Sequence, residues 1–253
     1  MNADIGMLWA LLNHIAPAEL AEEWDNVGLL AGDMRAPVDK VLCALDMNLA
    51  VIREAEEIGA QLIVTHHPIL FRGRKNLREA DAEGRMLCAL VRSGIGHIAM
   101  HTNYDNACPG VNDALAAALG LEDVEALENG MRIGRVARLT LDDFAMLVQA
   151  RLGGVVRRYG PPEREITRVA VLGGAGEDFV PQAMAAGAEV YITGEIAYHK
   201  ALDAVEDGLC ELEAGHAATE RPGILALSAA LQKAADDVQY NVRVFDSKVG
   251  LYL

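Results

Sequence analysis

The sequence predicts an α/β protein made of two similar, intertwined lobes that arose by internal duplication. Three observations lead there. Apolar runs of strand length alternate with amphipathic runs of helical period. The order strand, helix, strand, helix, strand occurs in residues 40–100 and again in residues 168–214. Each copy then ends in the same succession: a histidine, a carboxylate four positions on, a Pro-Gly pair and an Ala- and Leu-rich helix.

Taken in order, Leu8, Leu11, Leu12 and Ile15 lie at helical spacing, and Pro17 stops that helix. Residues 22–33 form a polar-aromatic corner around Trp24, Asp25 and Asn26 that leads into a short strand. Its role is either structural or to tuck against a site. Lys40 to Asp46 reads as a buried strand, Leu49 to Ile58 as a helix closed by Gly59, and Gln61 to Thr65 as a second strand. The helical crossover favours parallel pairing. Arg72 to Arg78 is a basic loop, Glu83 to Val91 a helix, Ile95 to Met100 a third strand, and Val111 to Leu119 a helix.

Residues 121–167 change character: a strand over Met131 to Leu139, a helix over Leu141 to Leu152, then turns at Gly153-Gly154 and Pro161-Pro162. They are expected to connect the halves. In the second half Arg168 to Gly173, Ala188 to Thr193 and Leu209 to Ala214 are strands, separated by helices over Phe179 to Ala186 and Tyr198 to Val205. The expected division is therefore a first lobe at 1–120, a connecting segment at 121–167 and a second lobe at 168–253.

The composition is 52% hydrophobic and 23% charged, that of a globular chain, and 253 residues supply an ample core. A net charge of −15 argues against an extended nucleic-acid surface, and no polybasic patch suits a membrane surface. A small phosphorylated ligand stays compatible, because a metal can meet its charge locally. The four cysteines are dispersed with no CxxC pair, which fits reduced thiols in a cytoplasmic protein and not a thiolate zinc site. The N-terminus lacks the basic region of a signal peptide, and no apolar run reaches the ~18 residues of a membrane span.

The chemistry centres on Val64-Thr65-His66-His67-Pro68, where a buried strand stops. Adjacent strand side chains point to opposite faces, so both imidazoles reach one ion only if the backbone bends there; otherwise each meets its own ion. His101 to Asp105 and His216 to Glu220 also follow strands, at the end where open α/β sheets place their sites. Imidazole nitrogen with carboxylate oxygen suits zinc, iron or manganese. Asp105 and Glu220 can each bridge two ions, and ions about 3.5–4 Å apart acidify a shared water. His66, His67 and His216 are the expected histidine ligands; His101 either ligates, orients a ligand or bonds a substrate. His97 reads as structural, His14 as an ordinary helix residue, and His199 as either a supporting or a substrate residue. Gly173-Gly174-Ala175-Gly176 lacks the full GxGxxG and a Walker lysine, and reads as a structural turn in preference to an anion cradle. The charge runs at 53–57 and 122–128 read as solvated faces.

Five stretches together carry a resemblance: EEWDNVGLLAGD at 22–33, VTHHPILFRG at 64–73, HTNYDNACPGVND at 101–113, ITGEIAYH at 192–199 and GHAATERPG at 215–223. The chain resembles the NIF-three-like family, the GTP cyclohydrolase 1 type 2 homologues. Ala217 departs from the larger residue often found after that histidine, and residues 121–167 are too short for the domain that longer members insert. The resemblance implies two α/β lobes, a toroidal homohexamer and a dinuclear centre held by His66, His67, Asp105, His216 and Glu220. The expected function is metal-dependent hydrolysis of a nucleotide or related small molecule, with His101 or Glu195 as the proton shuttle. The alternative is a non-catalytic carrier or chaperone for a metal or cofactor.

Overall fold

The computed structural model describes residues 1–250. In chain order it forms β1 (Ala3–Asp4), α1 (Ile5–Ile15), β2 (Gly28–Ala31), β3 (Pro37–Val38), β4 (Lys40–Ala44), α2 (Leu49–Ile58), β5 (Leu62–Thr65), α3 (Ala82–Ser93) and β6 (Gly96–Ala99). There follow α4 (Thr102–Asp105), α5 (Val111–Ala118), β7 (Glu122–Ala126), β8 (Arg132–Thr140), α6 (Leu141–Leu152), β9 (Arg157–Tyr159), β10 (Glu165–Ala175) and α7 (Val180–Ala185). The last elements are β11 (Val190–Glu195), α8 (Tyr198–Glu206), β12 (Cys210–Glu213), α9 (His216–Asp237) and β13 (Arg243–Asp246). The mixed α/β class is the one the sequence predicts.

The chain divides into two compact units, and their limits differ from those expected. One unit is Met1–Ala107 with the segment that starts at Ile224; the other is Cys108–Gly223. Residues 121–167 are not a connector. They supply β7, β8 and β9, three strands of the second unit's six-stranded sheet, whose order is β7-β8-β10-β11-β12-β9. The C-terminal segment does not belong with that sheet either. It returns as β13, which pairs in parallel with β4, so the first unit's sheet runs β13-β4-β5-β6-β2. Backbone ladders between residues about 200 positions apart leave no local signature in a sequence.

In the first unit β4, β5 and β6 are parallel and in register, Ala44 opposite Thr65 and Thr65 opposite Ala99. Helix α2 starts where the Asn48 side chain accepts from the Ala50 and Val51 amides, and ends at Gly59 with φ +68°. Its apolar face, with α3, covers Leu42, Ala44 and Ile63. In the second unit the central strands β10 and β11 are buried on both faces. Val169 and Val171 of β10 and Val190 and Ile192 of β11 meet Leu115 of α5 and Phe144 and Val148 of α6. The alternate residues Ala170, Leu172 and Tyr191 meet Ala183 and Ala204 of α7 and α8. Each unit thus centres on three parallel strands with helical crossovers.

The second histidine-carboxylate segment also differs from expectation. No corner separates His216 and Glu220 from the helix that follows: α9 is continuous from His216 and contains Pro222. Proline there forgoes one backbone bond but leaves the helix unbroken. Four-residue spacing on an uninterrupted helix puts His216 and Glu220 on one face.

Candidate metal centre

In the first unit, strand ends supply the site. Asp46 follows β4, His66 and His67 follow β5, and His101 follows β6. Because the three strands are parallel neighbours, these residues emerge side by side. The backbone bends after Thr65, whose hydroxyl donates to the His67 carbonyl at 2.7 Å. Amide bonds from His66 to Ala44 O and from His67 to Leu45 O fix the bent segment. Both imidazoles therefore face the same side, with ring centroids 5.0 Å apart, and His101 stands 5.1 and 5.5 Å from them. One ring nitrogen from each of His66, His67 and His101 falls within 4.8 Å of the others.

Hydrogen bonds decide which nitrogen of each ring carries the proton. The buried His66 places Nδ1 2.8 Å from the Met100 carbonyl, which can only accept, so Nδ1 carries the proton. His67 Nδ1 donates to Asp46 Oδ1 at 2.7 Å, and His101 Nδ1 to Asp25 Oδ1 at 2.8 Å. Asp25 is a firm acceptor. Burial alone would raise its pKa, but bonds from His101 and from the Thr102 hydroxyl and the nearby charge hold it well below the usual carboxylate range. In the neutral tautomer all three rings then offer an Nε2 lone pair. His66 Nε2 lies 3.6 Å from Asp105 Oδ1, so a lone pair faces a carboxylate oxygen. An imidazole nitrogen beside a carboxylate oxygen is a donor set that fits a divalent ion.

In the second unit His216 Nε2 is 3.2 Å from the buried Glu220 Oε1, and His216 Nδ1 is 3.4 Å from Glu195 Oε1. Again an imidazole has a carboxylate behind it and a second carboxylate oxygen beside its other nitrogen. The glycines of β10 make room for this pair. A Cβ on Gly174 would lie 2.4 Å from Glu220 Oε1 and 3.3 Å from His216 Nε2, and Gly174 has φ +70°. The same stretch is no anion cradle: the amides of Gly173, Gly174 and Gly176 donate to Asn112 Oδ1, Thr219 Oγ1 and Thr193 Oγ1.

The remaining histidines sort readily. His97 in β6 is fully buried, burial pushes it down to about 3, and Nε2 bonds the Thr65 hydroxyl at 2.7 Å. It is structural and supports the bend that presents His67. His14 is exposed on α1, and His199 is exposed at the start of α8. Two functional residues escape sequence reasoning, Asp46 as the anchor of His67 and Asp25 as that of His101. Asp46 ends a buried strand and Asp25 sits in the corner already singled out, but nothing in the order of residues pairs either with its histidine.

The chain is similar to known proteins over almost its whole length. Residues 3–250 match the family model described as Duf34/NIF3 (NGG1p interacting factor 3). A Clostridium perfringens protein named GTP cyclohydrolase 1 type 2 homolog is 36% identical over 243 residues, covering 92% of this chain and 93% of that one. A Staphylococcus aureus hypothetical protein superposes with a TM-score of 0.94 at 30% identity over 100% of both chains. A Bacillus cereus protein related to NIF3 gives 0.94 at 25% identity over 98% of both.

Proposed function

The chain belongs to the Duf34/NIF3 family, and from that premise we propose that it is a dinuclear divalent-metal protein that hydrolyses a nucleotide or related small molecule. His66, His67, Asp105, His216 and Glu220 are the proposed ligands of the two ions, which are zinc, iron or manganese. The observation that carries this reading is the triad of imidazoles His66, His67 and His101, each with Nδ1–H tied to a fixed acceptor and with one ring nitrogen of each within 4.8 Å of the others. The name borne by the curated relatives supports a nucleotide as substrate.

When bound, such ions supply Lewis-acid polarisation and an acidified water. The chain's own part is orientation and proton handling. His101, clamped at Nδ1 by Asp25, takes or gives a proton at Nε2. Glu195 sits at Nδ1 of His216, on the far side of the ring from Glu220. In this reading it holds that ring in place and is not a proton shuttle. A cytoplasmic, toroidal homohexamer belongs to the same proposal.

Metal analysis of protein purified without added metal, followed by a nucleotide screen, tests it. Two equivalents of ion and turnover that Asp105→Ala abolishes are expected. Turnover that survives in Asp105→Ala sinks the hydrolytic reading, and bound ions without turnover across the screen assign a carrier.

A further inference from the structure

Two exposed aromatic side chains stand beside the histidine triad of the first unit. Trp24 is 60% exposed and Phe71 44%, high values for large apolar rings. Their centroids are 5.7 Å apart, and each meets the His101 ring edge-on, at 6.3 and 6.2 Å. The arrangement is fixed from below. Asn26 Nδ2 donates to the Leu70 carbonyl, which ties the Trp24 corner to the Phe71 loop, and Asp25 next to Trp24 clamps His101. Charge is arranged here too. Arg74 is paired with Asp81 and Glu83 at 2.8 and 2.7 Å, whereas the exposed Arg72, adjacent to Phe71, has no ion pair among the described residues.

We infer that Trp24 and Phe71 form an aromatic wall that stacks the planar ring of an anionic heteroaromatic ligand beside His101, with Arg72 meeting its negative charge. Ring faces accept any planar heterocycle, so the wall selects for a ring and not for one base. The guanidinium adds a requirement for phosphate or carboxylate. The inference rests on the metal-site reading for its chemistry, but the wall itself stands on first-unit residues alone. It defines a substrate class for the proposed hydrolase: a planar ring carrying an anionic group.

The chain has two tryptophans, so Trp9→Phe leaves Trp24 as the only indole reporter. This protein, metal-free and zinc-loaded, is titrated with GMP, UMP, guanosine and ribose 5-phosphate. Saturable quenching by GMP and UMP, and none by the ring-free ribose 5-phosphate, is expected. By equilibrium dialysis, Trp24→Ala and Phe71→Ala should each weaken GMP binding about tenfold or more, with Trp24→Phe retaining most of it. Arg72→Gln should weaken GMP but not guanosine. Zinc affinity should be unchanged in all four variants, which a general collapse of the site would not allow. Equal binding of ribose 5-phosphate, unaltered GMP binding in both alanine variants, or no binding by any probe overturns the inference. So does a concentration-dependent burial of Trp24 without probe, which assigns the wall to a second copy of the chain. If wild-type protein fails to bind zinc while ring-dependent quenching persists without metal, the metal reading falls and the wall remains.

Discussion

Asp46 accepts the Nδ1 proton of His67 at 2.7 Å across the ends of two parallel strands. That bond holds the ring's orientation and its tautomer, and both are conditions for Nε2 to meet an ion. Asp46→Ala is accordingly expected to weaken zinc binding ~10–100-fold, measured by competition with a chelating dye, while far-ultraviolet circular dichroism stays at the wild-type level. The same titration in the metal-free state has an independent check. Nitrogen shifts of the His67 imidazole should report a fixed Nδ1–H tautomer in wild type and a mixed population in the variant.

Metal should also act as a folding ligand. At zinc about a hundredfold above the dissociation constant, mass action adds ~2.7 kcal/mol, or roughly 5–10 °C in Tm for a chain of this size. Calorimetry with zinc and with excess chelator measures it. His66→Ala, which removes a fully buried ring, is expected to lower the metal-free Tm and to abolish most of the zinc-dependent rise.

Gly174 is expected to be irreplaceable for a reason separate from stability. Gly174→Ala puts a methyl group 2.4 Å from Glu220 Oε1 at a backbone φ of +70°. Gly187 has φ +77° with open space where its Cβ would be, so Gly187→Ala carries the backbone strain alone, ~1 kcal/mol. Both variants should lose stability, but only Gly174→Ala should lose zinc binding. Equal zinc affinity in the two would show that the close approach does not matter.

Glu211 of β12 gives the pH dependence. It is fully buried on the sheet face that also carries Tyr191, neither carboxylate oxygen has a hydrogen-bond partner among the described residues, and burial pushes it up to about 9 from the ordinary 4.5. Between those values the folded chain keeps this proton and the unfolded chain has lost it. The unfolded state then binds fewer protons, so stability falls as pH rises across that window, by at most ~1.4 kcal/mol per unit. Glu211→Leu should flatten the dependence and raise the urea midpoint more at about pH 8 than at about pH 6. A parallel shift at both values would place the titration elsewhere.

What the sequence made legible was local. Asn48, Gly59 and the apolar run Leu62 to Val64 announce α2 and β5 through capping, left-handed backbone and burial. The histidines and carboxylates follow those strands, so the ligand candidates were legible too. The strand β7 was not: every residue from Glu122 to Ala126 is exposed, and a strand with no buried face shows no alternation. Short β9 was hidden among glycines and arginines, and only its pairing with β12 makes it a strand. The anchors Asp46 and Asp25 lie 21 and 76 residues from their histidines, brought together by sheet register that no short window encodes. Pro222 misled for the opposite reason, since a strong local stop signal is overridden inside a helix held by the packing of Leu227 and Leu231.

The return of β13 to β4 sets an order of synthesis. Residues 108–223 leave the ribosome as one uninterrupted stretch, and their six-stranded sheet is complete before β13 exists. The first unit begins earlier and finishes later. Until Arg243–Asp246 emerge, the apolar β4 presents an open edge of backbone donors and acceptors, the kind of template on which chains aggregate. The first unit, begun earlier, is therefore the one that must wait, and its histidines stand on strands beside an edge that only β13 can close.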